Sequence, residues 1–161
     1  MRNIENEADY LVNAVERFAE IRRAVLRSVG YRANLTEDEV RAMVVILRSN
    51  GPISEAIVAS ALDVSLPSCR SLLSQLVQRE IIEMVPGVPD SEAAFVTATV
   101  DPTGDPWRDL TAFEKAVDRG VAAIDERLMA DTIAAVSQVA DAVVRVDEEA
   151  AQVLLQWSNR R

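Results

Sequence analysis

Histidine is absent from the 161 residues, and cysteine occurs once, at Cys69. Without imidazole or a second thiol the chain lacks the ligand set of a structural zinc site, an intrachain disulfide and a dithiol for redox chemistry. A reducing, cytoplasmic setting is the expectation. No stretch approaches the ~20 consecutive apolar residues that a membrane-spanning helix needs. Asn3, Glu5, Glu7 and Asp9 interrupt any apolar export segment at the start, so no membrane association is expected. Catalytic signatures are missing too: no histidine base, no nucleophile motif, no glycine-rich phosphate loop, and carboxylates without a partner in a recognisable motif. No enzyme, metal or cofactor is expected.

What is present is a large apolar fraction, 49%, enough for a chain of this length to bury one core without cross-links. The net charge of −9 opposes polyanion binding as a sum, because phosphate neutralisation needs clustered cations. Its distribution is uneven: residues 1–80 carry 10 basic against 11 acidic groups, residues 81–161 carry 7 against 15. Acidic helices attached to a nearly neutral reading head give this profile, and so does a protein that binds no polyanion.

From Ala8 to about Val29, the residues Leu11, Ala14, Phe18, Ile21 and Val25 recur at steps of three and four, which predicts an amphipathic helix ended by Gly30. Arg17, Arg23 and Arg27 on its other side read as a solvated face in preference to a phosphate-facing stripe. Thr36 and Glu39 form a capping box, with Leu35 and Val40 as the hydrophobic staple around it. The helix they open runs through Met43, Val44 and Leu47 and stops at Asn50-Gly51 before Pro52. Ser54 caps a short helix with apolar positions Ile57, Val58, Ala61 and Leu62, and Asp63 suits a following turn because a short polar residue tolerates positive φ. Ser65 caps the next helix, where Pro67 is acceptable in the first turn and Cys69, Leu72, Leu73 and Leu76 are apolar.

Residues 81–86 and 94–100 are rich in β-branched side chains and flank the turn-rich 87–92, which predicts a β-hairpin. After the breaker segment 101–106, Leu110, Phe113, Val117, Val121, Ile124 and Leu128 mark one long helix, and Val136, Val139, Val143, Val146, Ala150, Val153 and Trp157 a second. Stripes this long are expected to pack on a partner helix. The fold class is mainly α: a winged helix-turn-helix head of three helices plus a β-hairpin, with long N- and C-terminal dimerisation helices.

In that order of elements the third helix of the head enters the major groove and the hairpin reaches the neighbouring minor groove or backbone. Leu35-Thr36, Asn50-Gly51-Pro52-Ile53-Ser54, Ala61-Leu62-Asp63-Val64-Ser65, the acidic tip Asp90, and Val100-Asp101-Pro102-Thr103-Gly104 fall at the spacing of a known family. The last looks like the Leu-Thr-x-x-Gly that closes its wing. With these the chain resembles, over nearly its whole length, the MarR family of bacterial transcription regulators. The resemblance implies a single domain over 1–161, a head at 35–104, and helices at 8–30 and 107–159 that interlock as a homodimer. It also implies operator DNA as partner and a small aromatic or anionic effector between head and dimer helices, where Phe18, Tyr31, Trp107 and Phe113 are lining candidates that fit core packing better.

The departures bear on function. Ser91 and Glu92 follow Asp90 where family wings carry arginines, and Leu66, Ser71 and Gln75 stand where relatives are often basic. The DNA-contact candidates are Ser65, Ser68, Arg70, Ser71, Ser74, Gln75, Arg79, Asp90 and Ser91, with Arg70 the main base reader. Three have a blander reading: Arg70 as an exposed residue pairing with an acid, and Ser65 and Ser68 as helix caps; if Arg70 reads DNA from an exposed position, its removal is expected to change folding by less than about 0.5 kcal/mol. Cys69 lies on the apolar side of its helix and reads as a core thiol rather than a redox sensor. Two functions remain open: a homodimeric regulator binding a pseudo-palindromic operator, and an acidic winged-helix dimer that docks another protein.

Overall fold

A computed structural model describes residues 4–86, 94–126 and 128–138. The chain divides into two compact units, Met1–Val117 and Asp118–Arg161. In the first, α1 (Ile4–Ala33), α2 (Glu37–Arg48), α3 (Glu55–Leu62) and α4 (Leu66–Gln78) are interleaved with β1 (Ile53–Ser54), β2 (Ile82–Val85) and β3 (Phe95–Ala98), and α5 (Trp107–Ala122) follows. The element order of the head is the expected one.

The helix starts follow the local signals. Thr36 Oγ1 accepts from the Glu39 N–H while Glu39 Oε2 accepts from the Thr36 N–H at 2.7 Å, so both halves of the capping box are made. Ser54 and Ser65 cap α3 and α4 by accepting from the N–H groups of Ile57 and Ser68. The stops share a different device. Asn34 (φ 55°), Asp63 (φ 56°) and Glu80 (φ 59°) are left-handed. The next N–H in each case closes a six-to-one bond, from Leu35 to Gly30 O, Val64 to Ala59 O, and Ile81 to Leu76 O.

Gly30 therefore does not end α1; the helix continues to Ala33 and stops at Asn34. The glycine serves packing, since a Cβ there would lie 3.0 Å from the Leu35 carbonyl oxygen and 3.4 Å from Val40 Cγ2. Its bare backbone lets α1 close on the start of α2.

One core holds the unit, built from Leu26, Val29, Val40, Met43, Ile46, Val58, Leu73, Leu76, Ile82, Val96 and Leu110, among others. Two expected core positions of α3 are not in it: Ile57 is 57% exposed and Ala61 is exposed, their places taken by Ala59 and the nearly buried Glu55. In a two-turn helix a small rotation exchanges one apolar side for another, and the contact with α4 made the choice. Cys69 is fully buried, and its thiol is pushed above its ordinary 9.0, first by desolvation and then by Glu55. A thiol reagent should leave native Cys69 untouched and label it at the rate of unfolding. Because the raised pKa belongs to the folded state, its contribution to stability is present below pH ~9 and is lost as the pH rises through that range.

The sheet has the order β1-β3-β2 and is antiparallel throughout. Ile53 pairs with Val96, and Ile82 with Ala98, so the expected hairpin is present. β1 is an addition that two residues could not signal by periodicity. The wing tip, with candidates Asp90 and Ser91, lies outside the described residues.

Around Asp101, the Thr103 N–H and Oγ1–H both donate to Oδ1, at 2.8 and 2.7 Å, and hold its carboxyl below the usual carboxylate range. The first C-terminal helix is shorter than expected: α5 ends at Ala122 and helix resumes only from Glu126, so Leu128 belongs to the second. The Leu128 N–H bonds Asp125 O at 2.9 Å, a turn that an apolar stripe running through Ile124 could not reveal. The expected stripe from Val139 to Trp157 lies outside the described residues. Among the described residues no single helix is long and apolar enough to cross a membrane.

Candidate nucleic-acid interface

The turn Asp63–Ser65 sets α3 and α4 at 108°, the angle of a helix-turn-helix pair. Left-handed Asp63 makes the turn, the Ser65 cap starts α4, and Cys69, Leu73 and Leu76 anchor one side of it in the core. The opposite side consists of Pro67, Ser68, Arg70, Ser71, Ser74, Gln75 and Gln78, all exposed at steps of three and four. Ser68, Arg70, Ser71, Ser74 and Gln75 are the expected contact residues; Gln78, one turn beyond Ser74, is an addition that the same spacing contains.

Ser65 and Ser68 are spent locally. Their hydroxyls lie 2.8 Å apart, and Ser65 Oγ also accepts from the Ser68 N–H. Arg70 reaches back to α3, its Nε donating to Glu55 Oε2 at 2.8 Å; the Arg70 side chain is 56% exposed and that of Glu55 9%. Arg79 is not on the polar face. It caps α4, its Nη1 donates to Asn34 O at 2.6 Å, and Glu39 Oε2 lies 3.7 Å away, so it ties the end of α4 to the α1–α2 junction.

The pairing of Arg70 corrects one expectation. Removing an exposed arginine is nearly free only when its partner is solvated as well, whereas Glu55 would be left almost buried without a counter-charge. Arg70→Ala should then lower stability by about 1 kcal/mol rather than leave it unmoved.

Other cations of the unit are similarly engaged: Arg32 with Asp105 and Asp109, Arg41 with Asp38, Arg48 with Glu114. Arg17, Arg23 and Arg27 on α1 are exposed and form no ion pair with the described residues. The four aromatic candidates have different surroundings. Trp107 is in the core, Phe18 stacks on Phe113 at 5.9 Å, and Tyr31 is 89% exposed. A cavity of about 280 Å³ lies elsewhere, between Ile46 and Leu47 of α2, Thr97 and Ala98 of β3, and Thr111 and Lys115 of α5.

By sequence the chain matches no protein-family model and no curated protein. By structure it is similar to RV1404 from Mycobacterium tuberculosis at a TM-score of 0.54 and 21% identity, over 88% of this chain and 95% of that one. A mutant of S. aureus MepR bound to an oligodeoxyribonucleotide aligns at 0.50 and 14% identity, over 84% and 97%. Streptococcus pneumoniae FabT in complex with DNA aligns at 0.50 and 15%, over 89% and 99%.

The fold is a winged helix, shared with RV1404, MepR and FabT.

Within that winged-helix head, α4 is the second helix of the helix-turn-helix pair and β2–β3 form the hairpin that follows it. The exposed face of α4 is almost uncharged, with Arg70 its one cation. An uncharged face of serine and glutamine suits hydrogen bonding to base edges and sugars better than neutralising phosphate.

Proposed function

We propose that the chain is a homodimeric, MarR-type DNA-binding transcription regulator that reads operator DNA through Arg70, Ser71, Ser74 and Gln75 of α4. The observation that carries this reading is the orientation of α4: its apolar side is held by the core at 108° to α3 and its polar side is open. The DNA-bound states of MepR and FabT, which share the fold, support it. Exposed Leu11, Phe18 and Ile21 on α1 support pairing with a second copy, since a lone helix rarely leaves such a stripe in water. In a homodimer two heads reach half-sites one helical turn apart. A small aromatic or anionic effector would retune the protein only by preferring one separation of the two α4 helices over another. The role is binding, with no catalytic step, in the cytoplasm.

One observation favours a second reading. The head cations Arg41, Arg48, Arg70 and Arg79 are all paired with carboxylates, and by sequence Ser91-Glu92 follow Asp90, so an acidic dimer docking another protein with little or no DNA affinity also fits.

An electrophoretic shift on the DNA upstream of its own gene, at low and moderate salt, separates them. The regulator reading expects a retarded dimer, a shallow salt slope reflecting fewer than about six phosphates, and a loss of about 1 to 3 kcal/mol for Arg70→Ala on the preferred site. No shift at low salt, with sedimentation showing an intact dimer, rejects it in favour of protein docking. A monomer at micromolar concentration rejects both.

A further inference from the structure

We propose that Glu55 is a positioning residue that holds the Arg70 guanidinium for guanine recognition, a role that rests on the DNA-reading function above. Arginine offers five N–H donors in a rigid fork, and a guanine edge is met by a pair of them. Here Nε–H is taken by Glu55 Oε2 at 2.8 Å, and the terminal nitrogens make no hydrogen bond with the described residues. A guanidinium fastened through Nε has lost much of its rotational freedom about the long side chain, and its terminal edge remains available. The ordering that recognition requires is in that way met before DNA arrives.

Glu55 is itself held from several sides. It is the first residue of α3, where the helix N-terminus favours a carboxylate. Its N–H donates to Ala94 O at the base of the wing at 3.0 Å, and its carbonyl oxygen accepts from the buried Cys69 thiol at 3.7 Å. The carboxylate that orients Arg70 thus stands on backbone tied to α4 and to the wing. A surface ion pair of ordinary use has two mobile partners; this one has a single mobile partner.

The test uses the full-length protein and a pool of duplexes with a randomised core, from which bound sequences are selected and counted. Wild type should enrich a guanine at a fixed place in each half-site. Glu55→Ala should weaken that guanine preference about tenfold while binding to unselected duplex falls less than about twofold, a split that simple loss of folded protein would not produce. Glu55→Gln, whose amide oxygen still accepts from Nε, should retain most of the preference. The double variant with Arg70→Ala should select no differently from Arg70→Ala alone, because the two residues act as one unit.

A guanine preference that survives Glu55→Ala overturns the inference and leaves the DNA-reading function standing. If Glu55→Ala fails to fold, Glu55→Asp decides: it keeps the charge at the start of α3 but withdraws the carboxylate from Nε, so loss of preference upholds the inference and retention overturns it. Wild type that selects nothing from the pool at low salt overturns the function itself, and this inference with it.

Discussion

Leu76→Ala should destabilise the protein by about 3 kcal/mol, within the 2 to 5 kcal/mol usual for truncating a buried leucine. Leu76 is fully enclosed on the inner side of α4, and its carbonyl oxygen closes the C-terminal cap by accepting from the Ile81 N–H at 3.1 Å. The capped backbone cannot follow the shortened side chain into the space it vacates, so a cavity remains and adds to the lost burial. In urea the midpoint should fall with an unchanged slope. The matched control is Ile57→Ala, equally apolar in sequence but exposed, which should cost less than about 0.5 kcal/mol. Equal losses for the two would mean that α3 is rotated from the position described.

Glu39→Ala should cost about 2 to 3 kcal/mol. The Glu39 side chain is 2% exposed, and Oε2 alone accepts from the Thr36 N–H at 2.7 Å and the Thr36 hydroxyl at 3.0 Å while facing Arg79 at 3.7 Å. Alanine would strand a backbone donor at a partly buried helix start, at a cost of about 1 to 3 kcal/mol, and leave the Arg79 guanidinium without its counter-charge. Glu39→Gln preserves an acceptor toward Thr36 and a capping box in the accepted sense, so its loss should stay near 1 kcal/mol. A thermal melt of the pair separates the capping contribution from the charge contribution. If alanine and glutamine cost the same, the hydrogen bonds to Thr36 contribute little and the electrostatic contact with Arg79 dominates.

What the amino-acid sequence makes legible is local. The Thr36–Glu39 box, the Ser54 and Ser65 caps, the Asp63 turn and the place of Pro67 are arrangements completed within about four residues, and all are present in the fold. Gly30 misleads because glycine has two uses, ending a helix and letting another backbone approach, and only the three-dimensional neighbour at Leu35 chooses between them. Ile57 and Ala61 mislead because two turns of helix carry too little periodicity to define which side is inward.

The polar face of α4 follows as soon as its inner side is known, but the state of its cations does not. Arg70 meets an acid 15 residues away and Arg79 a carbonyl 45 residues away. Caps, turns and periodicity act between near neighbours, so the chain alone dictates the elements, their order, most of their boundaries and the residue types facing outward. Whether each charge is available or already engaged is settled only by the folded arrangement. An ion pair depends on the separation of two side chains in space, and the bend between α3 and α4 sets that separation for Glu55 and Arg70.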